Sequence, residues 1–225
     1  MDRSIVLSIL GAAALGFVGM LLLMPDPLED GVTRLPWLIE RDAGGRTQVF
    51  GFTLGATTLT EVRQVFHEDG EINLFRTPGP SGTLAAEVYF EQIHLERLRA
   101  DFVLTLEVEQ STLASMYDRG LRISQTGSGS QKVKLDPNDA ERLAERPIRA
   151  IVYLPKARLD AALIEPRFGP PSQRLTEHET GIVHWLYPER GLDIGRDPSG
   201  RMVMQYVNPA DFGAILEPLV TMGTD

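Results

Sequence analysis

Four histidines, His67, His94, His178 and His184, are the side chains best suited to acid–base or metal chemistry, and the sequence has no cysteine to join them. Without thiols there is no disulfide, no thiolate nucleophile, no Cys-x-x-Cys redox pair, no cysteine-bound zinc and no cysteine to carry a lipid. His178-Glu179 and His184 come nearest to a metal cluster, but their spacing is not that of His-Glu-x-x-His. A two-residue turn at Thr180-Gly181 would set Glu179 against Ile182 and Glu177 against His184. Strand side chains alternate between faces, so His178 and His184 then point away from each other and cannot share an ion. His67-Glu68-Asp69-Gly70-Glu71 is an acidic run without the alternating oxygen ligands of an EF-hand, and reads as the solvated end of a helix.

Nucleophilic chemistry finds no better footing. No serine sits in Gly-x-Ser-x-Gly or Ser-x-x-Lys. Residues 126–131, TGSGSQ, are not followed by the Lys-Ser/Thr of a phosphate loop, so they read as a turn. The sequence therefore predicts no enzyme, no cofactor and no metal. With 31 acidic and 22 basic residues the formal net charge is −9, which leaves no electrostatic footprint for a phosphate backbone and predicts no nucleic-acid partner. The 225 residues, 43% of them hydrophobic, suffice for one large domain or two small ones.

One segment is set apart by its lack of charge. Ile5 to Met24 carries no ionisable side chain, and as a helix it spans roughly 30 Å, about the hydrocarbon thickness of a bilayer. A cleaved signal peptide is the competing reading, with Ala14-Leu15-Gly16 at the cut, but cleavage there leaves FVGMLLLMP on the mature chain. The anchor reading is preferred. Arg3 and the α-amino group favour a cytoplasmic N-terminus, with the rest of the chain outside the cytoplasm. Ser8, Ala12 and Gly16 recur every four residues and so line one face, where small side chains let two membrane helices approach. That face is a candidate for helix pairing and a homodimer.

The elements beyond residue 24 come from periodicity and punctuation. Residues 25–34 read as a polar spacer. Trp37–Glu40 and Gln48–Phe52 flank Asp42-Ala43-Gly44-Gly45 as a β-hairpin. Thr58 and Glu61 form a capping box ahead of Leu59, Val62, Val65 and Phe66. Glu87–Ile93 and Asp101–Glu109 read as strands, the second with Phe102, Leu104, Leu106 and Val108 on one face. Helices are expected over Ser111–Tyr117 and from Asp136-Pro137, then a strand over Ile148–Leu154. A helix follows Pro155 and is disturbed by Pro166, three strands lie at 182–187, 192–195 and 202–207, and Asn208-Pro209 caps a last helix.

In the C-terminal part, a helix, then Phe168-Gly169-Pro170-Pro171, then His184-Trp185-Leu186-Tyr187, then Gly191-Leu192-Asp193-Ile194, resembles the pattern of BamE-like proteins and of the tandem β-lactamase-inhibitor proteins. The resemblance extends more loosely to 57–109. It implies an α+β fold with antiparallel sheets, helices packed on one face, two similar helix-plus-antiparallel-strand units and one preceding transmembrane helix. The expected division is 1–24 anchor, 25–34 spacer, 35–147 first unit and 148–225 second unit. Both families act by binding proteins. The chain lacks the acylated cysteine of the first and the disulfides of the second, so no functional residue is carried over.

The combined expectation is a single-pass protein of a bacterial inner membrane whose periplasmic domain binds another envelope protein, as an accessory of assembly or secretion. An inhibitor or regulator of a periplasmic hydrolase is one alternative, a small-ligand binder or uncharacterised enzyme another. Trp185 and Tyr187, with His184, are the candidate protein-binding surface, since aromatic side chains often anchor interfaces.

Overall fold

A single aspartate shapes the first hairpin of the computed structural model, which describes residues 33–79, 82–127 and 129–223. Asp42 Oδ1 accepts the backbone N–H groups of Gly44 and Arg46, each at 2.9 Å, and so folds the turn between β1 (Ile39–Arg41) and β2 (Thr47–Val49). Strand β3 (Phe52–Thr53) completes a small three-stranded sheet. The apolar segment 5–24, with Ser8, Ala12 and Gly16, lies outside the described residues. Among the described residues no helix is long and apolar enough to cross a membrane.

Helix α1 (Leu59–Phe66) begins at the expected capping box, with Thr58 N–H donating to Glu61 Oε2 at 2.7 Å and Glu61 N–H to the Thr58 hydroxyl at 3.3 Å. It ends in a left-handed His67, and Gly70 at φ +67° turns the chain back under it. A Cβ on Gly70 would lie 2.7 Å from the Phe90 ring, so the close approach of turn to sheet requires glycine there. Three strands follow, β4 (Glu71–Arg76), β5 (Leu84–Leu95) and β6 (Leu98–Leu106). A bulge near Gln92 interrupts β5, and the Gln92 N–H donates to Asp101 Oδ1 at 2.9 Å.

Then come α2 (Gln110–Asp118), the hairpin β7 (Arg122–Gln125) and β8 (Gln131–Lys134), and α3 (Pro137–Leu143), capped by Asp136 as expected. Strand β9 (Ile148–Pro155) leads into a 3-10 turn at Ala161–Leu163 and the short α4 (Ile164–Phe168). That helical stretch starts later than expected, because the Asp160 carboxylate caps it by accepting the Ala162 N–H. The chain closes with β10 (Gln173–Thr176), β11 (Val183–Tyr187), β12 (Leu192–Arg196), β13 (Met202–Tyr206), a 3-10 turn at Pro209–Asp211 and α5 (Gly213–Gly223). Asn208 does not cap this last helix through its side chain. Its Oδ1 accepts the Thr47 N–H at 2.8 Å and ties the small sheet to the C-terminal strands.

Ten strands form one antiparallel sheet in the order β10-β11-β12-β13-β9-β6-β5-β4-β8-β7. The fold is α+β, a large antiparallel sheet with a small one and few helices. The expected boundary between 147 and 148 falls at the entry to β9, which is hydrogen-bonded to β6 on one side and β13 on the other. Register decides what is buried. Phe90 opposes Phe102, which opposes Tyr153, which opposes Met204, and these side chains share one face with Val88, Leu104, Ile151 and Tyr206. Leu59, Val62 and Phe66 of α1 and Val49, Phe50 and Phe52 of the small sheet belong to the same core. Phe50 stands 5.3 Å from Phe102, 5.2 Å from Tyr153 and 5.5 Å from Tyr206, ring centre to ring centre. Burial pushes the Tyr153 phenol up to about 12.

Residues between these on β5, β6, β9 and β13 point the other way. Tyr89, Val103, Val152, Val203 and Gln205 keep part of their surface in solvent. The sheet thus has one filled face, and a second face that is open along β5, β6, β9 and β13 but buried at His184, Leu186, Asp193 and Gly195 on β11 and β12.

Phe102 sits at the crossing of the aromatic contacts from both halves of the sheet. Phe102→Ala is expected to lower unfolding stability by about 3–5 kcal/mol. Urea denaturation followed by tyrosine and tryptophan fluorescence checks this, and a single transition moving as one is the expected form.

Candidate functional site

The open face carries a cleft of about 790 Å³. Its floor is made by side chains that alternate away from the core, Leu154 on β9, Val203 and Gln205 on β13, and Ile182 beside β11, with Gly195 on β12 leaving a step in it. Lys156 and Arg158, on the segment that leaves β9, line one side, and Asp197 and Arg201 of the β12–β13 turn line another. His184, Asp193 and Asp101 reach it from beneath.

His184 is the most constrained ionisable group of the cleft. It is directly opposite Gly195 on β12 and Leu175 on β10, so the same-face neighbours two residues along are Asp193 and Glu177. Its Nδ1 lies 2.9 and 3.0 Å from the two Asp193 oxygens, and its Nε2 lies 3.1 Å from Glu177 Oε1. Burial disfavours the charge, but the hydrogen bond and field of Asp193, followed by those of Glu177, outweigh it and hold the His184 pKa above its ordinary value. As an imidazolium the ring donates to both carboxylates. Deprotonated, it would turn a lone pair toward one of them. Both nitrogens are already engaged, so His184 has no free nitrogen to take a proton from a ligand or to bind a metal. Among the described residues no group of three or more metal-ligating side chains is arranged to hold an ion.

Asp101 faces the same cleft from β6. Although burial opposes its charge, the Lys156 ammonium, the Gln92 N–H and the Tyr89 hydroxyl hold its carboxyl below the usual range. At the β12–β13 turn Asp197 accepts the Ser199 hydroxyl at 2.6 Å and Arg201 Nε at 2.7 Å, which depresses its pKa strongly. The cleft is built mainly from charges that are already matched.

The residues singled out from sequence fall on both sides of β11. Trp185 and Tyr187 point into the core and are only 6% and 4% exposed, while His184, 8% exposed, points into the cleft. Neither aromatic side chain presents an accessible surface here. The Trp185 indole N–H is buried with no acceptor among the described residues, and the Arg174 guanidinium lies 5.5 Å from its ring centre. His178 is exposed in the turn. That turn is longer than expected, since Glu177 N–H donates to Ile182 O and Thr176 opposes Val183.

The motif that carried the family resemblance proves to be a packing unit. Phe168 is buried at the end of α4, and the Tyr187 hydroxyl donates to Gly169 O at 3.0 Å. Arg190 donates to Phe168 O at 2.9 Å. Gly191 has φ +61°, and a Cβ there would come within 1.9 Å of Val207 O, so no other residue fits. Compared with family models, with curated proteins and with solved structures, the chain matches none of them.

The Glu177–His184–Asp193 cluster was missed in the sequence reading. Its signal is a His and an Asp separated by a turn whose closing pair, Tyr187 and Leu192, fixes which residues share a face.

Two outcomes are expected. The folded chain binds the His184 proton more tightly than an unfolded histidine of pKa 6.5, so this stabilisation is complete below that pH and is lost as pH rises through the folded pKa. His184→Gln should flatten that part of the stability profile above pH 6.5, measured as melting temperature against pH. Parallel curves for the two proteins would contradict the assignment. Trp185→Ala should lower stability by about 3–5 kcal/mol, whereas Trp185→Phe, which removes the unpaired N–H and keeps most of the volume, should stay within about 1.5 kcal/mol of the parent, both read by chemical denaturation.

Proposed function

We propose that the chain is a single-pass membrane protein whose extracytoplasmic domain binds another protein through the open face of its large sheet. The observation that carries this reading is the asymmetry of the sheet. One face is filled by helices and the small sheet, and the other displays Tyr89, Val103, Val152 and Val203 partly exposed beside a cleft. An uncovered, partly apolar sheet face marks an interaction surface. The uncharged stretch 5–24 supplies the anchor and Ser8, Ala12 and Gly16 a face for pairing in the membrane. The location that fits is a bacterial inner membrane, N-terminus in the cytoplasm and domain in the periplasm, with an envelope protein as partner.

The finer reading of the fold is a tandem of BamE-like units. Helix α1 is followed by β4, β5 and β6, and α4 by β10, β11 and β12. In both sets the first strand lies farther from the sheet's middle and the third nearer to it. Strands β9 and β13 lie between the two sets. This arrangement supports two similar units fused through their inner strands. The matched charges of the cleft and the doubly engaged His184 support binding over catalysis.

A photo-crosslinking residue placed at Val103 or Val152, in cells expressing the full chain, should give a discrete adduct with one other protein. The same residue at Leu121, which is 58% exposed near β7, should not. Adducts from neither open-face position, or equal adducts from all three, would overturn the reading.

A further inference from the structure

The rim of the open-face cleft contains one cation that the fold leaves unmatched. Lys156 is answered by Asp101, Arg201 by Asp197, and His184 by Asp193 and Glu177. Arg158 is exposed and has no ion-pair or hydrogen-bond partner among the described residues. It stands beside an apolar floor of Leu154, Ile182 and Val203. Unlike the other cations that line this cleft, its guanidinium is left with its charge unanswered at the rim. Its planar fork matches a carboxylate in two parallel hydrogen bonds.

We propose that this cleft receives an extended peptide segment of the partner, in which a Glu or Asp side chain pairs with Arg158 and neighbouring apolar side chains cover Leu154, Val203 and Ile182. The inference rests on the protein-binding reading and names the chemistry of the segment that it would capture. Charge complementarity selects the acid. The Lys156 ammonium lines the same cleft, and with three N–H donors and one bond to Asp101 it favours the same sign of ligand. The volume of about 790 Å³ lies within the range that holds a drug-sized ligand, so it accepts a few side chains and not a whole domain. Gly195 keeps the floor open next to His184. A Cβ there would rest 3.4 Å from His184 Cε1 and 3.6 Å from Ile182 Cγ2, so a side chain at this position would stand between the clamp and the floor of the cleft.

The test uses the detergent-solubilised full chain and two labelled peptides, Leu-Val-Glu-Val-Leu and Leu-Val-Gln-Val-Leu with blocked ends, read by fluorescence anisotropy. The glutamate peptide should bind at least about tenfold more tightly than the glutamine peptide, a difference of about 1.4 kcal/mol. Arg158→Glu should abolish that preference, while Arg122→Glu, an exposed change on β7, should leave it. Gly195→Val should weaken both peptides. Equal binding of the two peptides, a preference that survives Arg158→Glu, or binding of dodecanoate with neither peptide bound would overturn the inference. If it fails while the crosslinks at Val103 and Val152 persist, the protein-binding reading stands without it. Loss of the crosslinking contrast removes the reading itself.

Discussion

The pairing of β9 with both β6 and β13 is the constraint on which the rest of the structure depends. It joins what the sequence presents as two successive units into one sheet, and a sheet has one apolar face to cover, not two. The cover is shared unequally. Residues 39–66, from the first half, supply the small sheet and α1, yet Phe50 packs on Tyr153 and Tyr206 of the second. The Thr47 N–H and hydroxyl reach Asn208 and Val207, so polar contacts follow the same route as the apolar ones. Neither half keeps a complete core without the other.

Local punctuation was legible in the sequence because it is local. The capping box at Thr58 and Glu61, the Asp136-Pro137 helix start and the alternation of Phe102, Leu104 and Leu106 each involve residues within a few positions of one another. Pairings across the sheet were not legible. Strand β10, Gln-Arg-Leu-Thr, has a single apolar residue, and it becomes a strand because β11 offers it an edge. In His184-Trp185-Leu186-Tyr187 both alternating sets are bulky, so periodicity could not say which set faces the core, and all four turn out to be buried. The His184 cluster depends on register, which is set by a turn longer than the Thr180-Gly181 pair suggested. Asn208 looked like a helix cap and instead serves a distant backbone N–H, a choice that tertiary contacts alone decide.

The stretches behind the resemblance contain both packing residues and two residues of the candidate site, His184 and Asp193. Phe168, Gly169, Tyr187 and Gly191 set the helix-to-strand turn and the β11–β12 turn. His184 and Asp193 occupy the alternate positions and face the cleft. A motif of this kind specifies a scaffold and leaves the facing positions free to vary in chemistry.

A continuous sheet also fixes how the cleft can respond to what enters it. Domains joined by a linker can rotate about it, but β9 is held along both of its edges and offers no hinge between the two halves. The floor of the cleft is therefore preorganised, and the β12–β13 turn beside it is held by Asp197. A ligand entering such a cleft would meet a largely fixed template, and little ordering entropy on this side would oppose its binding.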